Sequence, residues 1–336
     1  MSRDVSHITG VEAISRPFVY TVTLHSEDDA VDIEASQRSP YTINLPLPGG
    51  SFRYVNGLIT RAERGESTRR STRYTYEIRP WFWLLGQQRG CALFQDISVP
   101  DIVKKVCGDA GFADIGTFLA GEYPAREYTV QYNENSLDFL SRLMAESGIF
   151  YFFTHTQSSH SLVMADSVDM LANCPDCPAL SWIAGKLPGT PSAHMQPLAL
   201  AARSSPRACA VDDYNYLTPS ASLKATSAEE AFAEGDFGAG HATQQQGEAL
   251  AALRADACEA ERLELRGISA CAGLYPGGTV SVSGCPQSDV NKKWLLTETA
   301  LSCSGADETS TRFTAVPASA PYRHGRRMGV HGCTAP

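Results

Sequence analysis

The residues with the clearest chemical potential are Cys174 and Cys177, which are separated by Pro-Asp. Two thiolates at this spacing can bind one side of a zinc ion, but a structural zinc site needs four ligands, usually from a second such pair. The sequence contains no second pair, and the upstream histidines, His155 and His160, lack the spacing of a zinc knuckle. We therefore expect loop cysteines and no bound metal, with a zinc site as the less favoured alternative.

The chain has ten cysteines in all. Residues 1–10 are polar and lack the apolar core of a signal peptide, so we expect synthesis in the cytoplasm, where thiols are kept reduced. A disulfide framework is therefore not expected, and Cys107 is interpreted as a small buried apolar residue. If the protein leaves the cell, we expect a route that does not read an N-terminal signal.

Other candidate sites are no stronger. The aromatic residues 81–83, next to Arg79, could stack against a sugar or a base, but we favour aromatic residues that plug the end of a barrel. Asp138 and Glu146 fall on a predicted helix, where a solvated face explains them better than acid–base catalysis. Adjacent acids at residues 212–213 could bind a cation, but such pairs are common in loops.

The sequence also lacks a nucleophile elbow, a phosphate-binding loop, a His-Glu-x-x-His motif and a dinucleotide-binding glycine pattern. We therefore expect no catalytic residues, no cofactor-binding residues, no metal ligands, no cofactor and no enzyme activity.

Composition limits the partners. The chain has 336 residues, with 28 basic and 37 acidic side chains and a net charge of −9. Nucleic-acid binding needs clustered Lys and Arg, so no nucleic-acid partner is expected. No apolar run reaches the roughly 18 residues of a membrane-spanning helix, so no direct membrane anchor is expected.

The elements that must position these residues begin with strands. Residues 18–24, 41–47, 52–61 and 74–78 alternate or remain apolar at a period of two, without helices between them. Strands at this spacing predict an antiparallel barrel over residues 1–90.

The pattern changes to helical spacing after Cys91. Ser98 is a good N-cap, Pro100 and Asp101 suit a first turn, and Gly111 can end the helix. A second predicted helix starts at Ser136 and ends at Gly148. The residues expected on the buried faces are Ile102, Val103, Val106, Cys107 and Ala110 in the first helix and Leu137, Leu140, Leu143 and Met144 in the second.

Two predicted strands belong to the same region. Tyr128, Val130 and Tyr132 share one face of the first, and residues 149–153 form a short central strand. This region, residues 91–156, is therefore predicted to be an α+β insertion.

Strands return later in the chain. Residues 157–316 predict a second barrel whose strands lie largely after residue 200, interrupted by a helix near 242–262 that tolerates Gly247. Residues 317–336 are rich in proline and glycine and resemble a linker.

Several of these stretches, in the same order along nearly the whole chain, resemble the VgrG family of type VI secretion spikes, which is related to the tail-hub protein of contractile phages. The most specific is residues 126–153, from Arg-Glu-Tyr-Thr-Val to Gly-Ile-Phe-Tyr-Phe-Phe. The other stretches that carry the resemblance are residues 10–18, 54–61, 79–85, 94–103, 274–278, 313–317 and 321–323.

The resemblance implies a mainly β fold with an α+β insertion and two antiparallel β-barrel subdomains of the phage tail-hub type. It also implies a structural hub: a homotrimer whose barrel subdomains form a ring that docks on a hexameric tube protein. Baseplate proteins and an effector or tip protein are the other implied partners. The implied location is the cytoplasm during assembly and the outside of the cell, or a target cell, on firing.

Family members continue into an OB domain and a puncturing needle, and Pro336 lies where the OB domain would begin. Residues 323–333 resemble the approach to that domain. We therefore expect the 336-residue chain alone to trimerise weakly. A tail-hub protein of a contractile phage or phage-like particle is the alternative with the same fold, and a metal-dependent enzyme is a distant one.

Overall fold

The computed structural model describes residues 3–323 except 28–30, 48–49, 185–192, 205, 207, 217–218, 221, 229–232, 239–240, 242 and 305–307. Its helices are α1 (Val99–Asp109), α2 (Ser136–Glu146) and α3 (Gln244–Ala260), with short 3-10 helices at Trp81–Gln87, Val168–Met170 and Ser288–Val290. The strands before α2 are β1 (Arg3–Ala13), β2 (Arg16–Ser26), β3 (Pro40–Pro46), β4 (Phe52–Ser67), β5 (Thr72–Arg79), β6 (Arg89–Ile97), β7 (Ile115–Phe118) and β8 (Arg126–Asn135). The later strands are β9 (Phe150–His155), β10 (His160–Ala165), β11 (Ala179–Trp182), β12 (His194–Ala202), β13 (Ala208–Asp212), β14 (Ala225–Thr226), β15 (Ala233–Phe237), β16 (Leu263–Ser269), β17 (Thr279–Ser283), β18 (Lys293–Ser304) and β19 (Glu308–Pro317).

A closed barrel forms from the later strands. The order β17-β11-β12-β16-β19-β18 returns to β17, which closes a ring of six strands. Its pairings are antiparallel except at the four-residue strand β11, which runs parallel to both β12 and β17. The barrel core is built around Trp294, Phe313 and Leu265, each almost fully buried.

The first five strands extend the same sheet outward from the barrel. β1 pairs with β18, and the order continues β2-β5-β4-β3 with antiparallel pairing throughout. The predicted face of β2 is confirmed, because Phe18, Tyr20, Val22 and Leu24 are each at most 1% exposed. Side chains of this size contribute roughly 1.5–3 kcal/mol each when buried.

These pairings confirm a mainly β fold but not two closed barrels. Among the described strands, no pairing joins β3 back to β1, so residues 1–90 form an open sheet. Register along one strand fixes which face is buried, but closure depends on contacts between strands distant in sequence. The proposed unit boundaries at residues 90, 156 and 316 remain a prediction, and residues 324–336 of the expected linker lie outside the described residues.

The inserted helices lie where the sequence predicts them. The Ser98 hydroxyl accepts a hydrogen bond from the Asp101 amide at 3.4 Å, and Asn135 caps α2 by accepting from the Asp138 amide at 2.8 Å. Gly111 adopts the expected left-handed conformation, with a φ of 87°. The buried face of α2 differs in one respect, since Phe139 is fully buried and Leu137 is half-buried.

Helix α3 packs on a small sheet ordered β14-β13-β15. Its start carries a capping box, in which the Thr243 side chain and the Gln246 side chain each bond the other residue's backbone amide. Gly247 is more than tolerated here. A Cβ at this position would lie 2.7 Å from the His241 Nε2 atom and 3.1 Å from the Ala225 Cβ atom, so glycine lets the helix approach.

A buried ion pair lies within the open sheet, and its arginine also links that sheet to the barrel. Nη2 of Arg53, on β4, lies 2.5 Å from a Glu12 carboxylate oxygen on β1, and both side chains are less than 10% exposed. Arg53 Nη1 donates to the backbone oxygens of Ala272 and Leu274, at 3.0 and 2.8 Å, in the loop before β17. Tyr20 completes the group by donating its hydroxyl hydrogen to Glu12 at 2.5 Å.

The charges of this group stabilise one another. Burial by itself disfavours a charged guanidinium, but the adjacent Glu12 carboxylate outweighs burial and raises the pKa of Arg53. Burial, reinforced by the same carboxylate, raises the pKa of Tyr20 well above its usual range, so the phenol stays a hydrogen-bond donor. Gly10 makes room for this arrangement, because a Cβ there would overlap the Tyr20 ring.

Candidate functional site

Cys174 and Cys177 lie in the barrel core rather than at the surface. Both are at most 1% exposed, and they belong to the same buried cluster as Cys271 and Cys285. The Cys174 thiol donates a long hydrogen bond to the Tyr275 backbone oxygen, at 4.0 Å. Burial raises the pKa of Cys174 to about 12, which keeps the thiol protonated and a poor metal ligand near neutral pH.

The structure adds a third thiol that the sequence could not place. Cys271 lies in the same buried cluster as Cys177, whose thiol donates to the Ala179 backbone oxygen at 3.8 Å. The interaction between the two thiols raises the pKa of Cys177 and lowers the pKa of Cys271. Across the described residues, no three His, Cys, Asp or Glu side chains are arranged to hold a metal ion. The prediction that Cys174 and Cys177 bind no metal awaits a direct test.

His155 and His160 face each other across the β9–β10 pair. His160 Nε2 accepts from the Trp81 amide at 2.9 Å, so its Nδ1 carries the hydrogen and donates to the Asn56 side-chain oxygen at 3.0 Å. Burial, followed by the proximity of His155, lowers the pKa of His160 to about 3. The imidazole is therefore a neutral structural link rather than a base in a site.

The aromatic residues after Arg79 are divided between core and surface. Trp81 and Phe82 are at most 4% exposed and lie in the core with the α1 and α2 helices. They are packed side chains, but the expected plug at the end of a barrel is not confirmed, because the preceding strands form an open sheet. Trp81 stacks on Phe112 with ring centroids 4.7 Å apart. Trp83 is half-buried beneath Arg79, whose guanidinium carbon lies 5.0 Å from the ring centroid.

The acidic candidates have structural partners. Glu146 forms ion pairs with Arg142 at 3.1 Å and Arg126 at 3.5 Å, while Asp138 is exposed in the first turn of α2. Asp213 accepts backbone amide hydrogens from Tyr214 at 2.7 Å and from His241 at 3.2 Å.

Asp212 accepts from the Asp213 amide at 2.9 Å. These oxygens therefore organise a turn after β13.

A pocket beside the His155 ring measures about 180 Å³, which is smaller than the roughly 300–1,000 Å³ of small-molecule sites.

The largest unexplained feature is an exposed apolar face on the β6–β8 ribbon. Leu93, Tyr128, Val130 and Tyr132 are 50–78% exposed, and they alternate with buried Thr129 and Gln131 on β8. The shared face that the sequence predicts for Tyr128, Val130 and Tyr132 is thus confirmed, and it points outward. Among the described strands, β6 and β8 pair only with each other.

The area of this face is large for an isolated surface. The exposed fractions of two tyrosines, a leucine and a valine correspond to roughly 400–500 Å², within the ~300–600 Å² of the largest patches on monomers, which are often functional. The alternation could have signalled the ribbon, but sequence alone could not show which face points outward. We call these four side chains the ribbon face.

A second exposed aromatic group lies at the end of the small sheet. Tyr214, Tyr216 and Phe237 are 64–78% exposed.

None of the helices in the described part of the chain is long and apolar enough to span a membrane. What the described surface offers, then, is apolar contact area on a rigid β scaffold.

Exposed apolar faces of this size on a β scaffold are typical of proteins that contact other proteins. A family model described as phage tail baseplate hub (GPD) matches residues 11–306, and the chain belongs to this family. It is similar to the type VI secretion system spike protein VgrG1b of Pseudomonas aeruginosa, with 32% identity over 300 residues, covering 87% of this chain and 40% of that protein. The chain therefore spans less than half the length of this curated relative.

Solved structures show the same fold. The E. coli c3393 protein is described as a type VI secretion component with structural similarity to the T4 phage tail proteins gp27 and gp5. It matches with a TM-score of 0.73 and 24% identity, covering 96% of this chain and 76% of that one. The 43 kDa tail protein of prophage MuSo2 from Shewanella oneidensis matches with a TM-score of 0.65 and 11% identity, covering 95% of this chain and 96% of the other.

Proposed function

We propose that the chain is the structural hub of a type VI secretion spike, a homotrimer whose ring docks on the end of a hexameric tube and carries the puncturing tip and its effectors. The observation that carries this proposal is the family match over residues 11–306, together with the likeness to a spike protein across 87% of the chain. The relatives are named as spike proteins and the family as a baseplate hub, and the chain is proposed to act without catalysis.

The closed barrel and the open sheet together suit such a ring. A trimer would present three barrels and three open sheets, and six β units around one axis could match a hexameric partner. Exposed sheet edges favour association with other chains, and β3 is an edge strand among those described. Baseplate proteins are the further partners of this proposal.

The ribbon face supports an assembly role in a specific way. A standard interface buries about 800 Å² per partner, so the ribbon face alone could supply about half of one side. Aromatic residues are enriched in the buried centres of interfaces. In a cyclic trimer each interface joins two different surfaces, and the Tyr214, Tyr216 and Phe237 group offers a second one.

The test mixes the purified chain with stacked rings of a type VI tube protein and examines tube ends by electron microscopy. We expect three-fold particles capping one end of each tube, and fewer of them for a Tyr128→Ser/Tyr132→Ser variant. Gln95→Ser is the matched control, because Gln95 is exposed opposite Tyr128 on β6. Uncapped tubes at every concentration at which the chain is folded would refute the docking role.

A tail hub of a contractile phage or phage-like particle is the second candidate. It is favoured by the MuSo2 prophage tail protein, which matches over nearly its whole length. The same capping experiment with a phage tube protein in place of the type VI protein separates the two. Capping of phage tubes alone would favour the phage hub.

Location follows from the proposed role. The hub is proposed to be assembled in the cytoplasm and to leave the cell when the apparatus fires. Detection of the chain in the medium of firing cells, and its loss when the tube protein is deleted, is the expected result. Secretion that persists without the tube protein would contradict it.

A further inference from the structure

Two cysteines far apart in the chain meet between a strand and a helix. The Cys209 sulfur on β13 lies 3.9 Å from the Cys258 sulfur in the last turn of α3, although 49 positions separate the two residues. Cys209 is 1% exposed, whereas Cys258 is half-buried. One thiol is therefore held in place by packing and the other can be reached from solvent.

The sequence pattern of both elements fixes this contact. Gly247, Ala251 and Cys258 fall at helical spacing on one side of α3. On β13, Cys209 and Val211 share a face at a period of two, and Val211 packs with Ala251 in one buried cluster. The small side chains of this face bring the helix close to the sheet.

An ion pair holds the same helix against the same sheet. Arg254 of α3 contacts the carboxylate of Asp236 on β15, and the two side chains are about one-fifth exposed. β15 in turn pairs in parallel with β13, in a register that places Cys209 opposite Glu234. The positions of both cysteines are thus set by contacts on either side of them.

We propose that Cys209 and Cys258 are a modification site, a dithiol that a small-molecule disulfide converts to an intramolecular disulfide bond. Closing the bond requires the sulfurs to move from 3.9 Å to about 2.05 Å, within reach of a side-chain rotation and a small backbone adjustment. No other sulfur–sulfur contact in the described residues combines a packed thiol with a half-buried one.

The chemistry balances with oxidised glutathione as the oxidant. The Cys258 thiolate attacks one sulfur of oxidised glutathione, forming a mixed disulfide and releasing one glutathione thiolate. The Cys209 thiol then loses its proton to solvent, and its thiolate attacks the Cys258 sulfur and releases the second glutathione. The protein loses two hydrogens and two electrons, and one glutathione disulfide becomes two thiols.

The Cys177–Cys271 pair differs in access. Both of its thiols lie in the barrel core at about 1% exposure, so an oxidant of glutathione size has no route to either. Cys91 is exposed, but no second thiol of the described chain is in contact with it. Among the described thiols, oxidation is therefore directed to the contact between Cys209 and Cys258.

The disulfide would cross-link α3 to the small sheet. Along the chain, both the helix and this sheet lie between the barrel strands β12 and β16. Cross-linking restricts the unfolded chain, and the restriction grows with the length of the closed loop. The dithiol form belongs to a reducing compartment such as the cytoplasm, and the disulfide form to an oxidising one. We therefore expect α3 and the small sheet to become more resistant to unfolding after the protein enters an oxidising environment.

The test uses the full 336-residue chain with Cys91→Ser and Cys333→Ser, which remove the exposed thiol of the described residues and the one cysteine that lies outside them. After incubation with oxidised glutathione, we expect the number of thiols titratable under denaturing conditions to fall by two. Peptide mapping should recover one cross-linked pair that contains Cys209 and Cys258. The midpoint of thermal unfolding should rise by about 5 °C and return to its initial value after reduction.

Two variants separate the steps. Cys209→Ser is expected to hold glutathione on Cys258 as a stable mixed disulfide, and Cys258→Ser to keep all of its remaining thiols. A mapped cross-link between other cysteines, or no cross-link in the test protein that retains Cys209 and Cys258, would overturn the proposal. Because mapping is done with both cysteines present, it decides the question even if either serine variant fails to fold.

Discussion

Replacing Arg53 with methionine tests the link between the open sheet and the barrel. The change removes the charge that lies 2.5 Å from the Glu12 carboxylate and the donor to the Ala272 and Leu274 backbone oxygens. Methionine keeps a side chain of similar length, so the loss of volume is small. What remains is a carboxylate without its buried partner and two carbonyl groups without a donor.

The expected cost follows from burial. Removing one partner of a buried ion pair typically costs about 3–5 kcal/mol, because the other charge stays buried without compensation. A whole domain has a free energy of unfolding of only about 5–15 kcal/mol. With a urea dependence of about 3 kcal/mol per molar, the midpoint of unfolding should fall by roughly 1–1.7 M.

Arg61→Met is the matched control on the same strand. Arg61 pairs with Glu63 at 3.0 Å, but the two side chains are 70% and 53% exposed. Exposed ion pairs contribute about 1 kcal/mol or less. Urea unfolding followed by tryptophan fluorescence compares the two variants in the same background.

A double variant, Glu12→Gln/Arg53→Met, isolates the buried charge. Neutralising the carboxylate should recover part of the loss, because the introduced glutamine can still accept a hydrogen bond from Tyr20 without leaving an uncompensated charge. If Arg53→Met lowers the unfolding midpoint no more than Arg61→Met does, the reasoning from burial is wrong.

The remaining predictions concern protonation, metal binding and assembly. Because the folded pKa of His160 is about 3 and the unfolded value is about 6.5, the unfolded chain binds the extra proton between these values. The free energy of unfolding should therefore fall by up to about 1.4 kcal/mol per pH unit below about 6.5, and urea unfolding at about pH 7 and pH 5.5 should show a smaller fall for His160→Gln than for exposed His25→Gln. Protein purified without added metal should contain less than one-tenth equivalent of zinc by mass spectrometry, and one equivalent that is lost in Cys177→Ser would contradict this. In light scattering across a dilution series, the 336-residue chain should dissociate to monomers at micromolar concentration; a trimer that persists at nanomolar concentration would place the main trimer contacts in this part of the protein.

The sequence predicts best where one element decides its own structure. The alternation of β2, the Ser98 cap and Gly111 depend on neighbouring residues, and each is found where it is predicted. The same local rule could have shown Arg53 on the buried face of β4, because it shares a face with Val55 and Ile59. Its partners could not be found this way, since Ala272 and Leu274 are more than 200 positions away.

The sequence could not show, for a similar reason, whether the sheet of β1–β5 closes into a barrel. Whether five strands form a barrel or an open sheet depends on the pairing of β3, which no local pattern sets. The parallel pairing of β11 with β12 and β17 likewise depends on the path of the chain. The four residues of β11 do not show whether the strand runs parallel or antiparallel to its neighbours. The sequence could not place Cys271 beside Cys177 either, because the two loops that carry them meet only when the barrel forms.

Substitutions at His160 and at Tyr132 should have opposite effects on stability and on trimer formation. His160 makes hydrogen bonds to Trp81 and Asn56 in the core, so His160→Gln should lower the midpoint of unfolding and leave association of the folded chain unchanged. Tyr132 is 78% exposed on the ribbon face, so Tyr132→Ser should change the free energy of unfolding by less than about 0.5 kcal/mol. The same variant should weaken trimer formation several-fold, because a buried interfacial tyrosine often contributes more than about 1 kcal/mol. A Tyr132→Ser protein that is destabilised yet trimerises normally would show that the ribbon face supports the fold and takes no part in assembly.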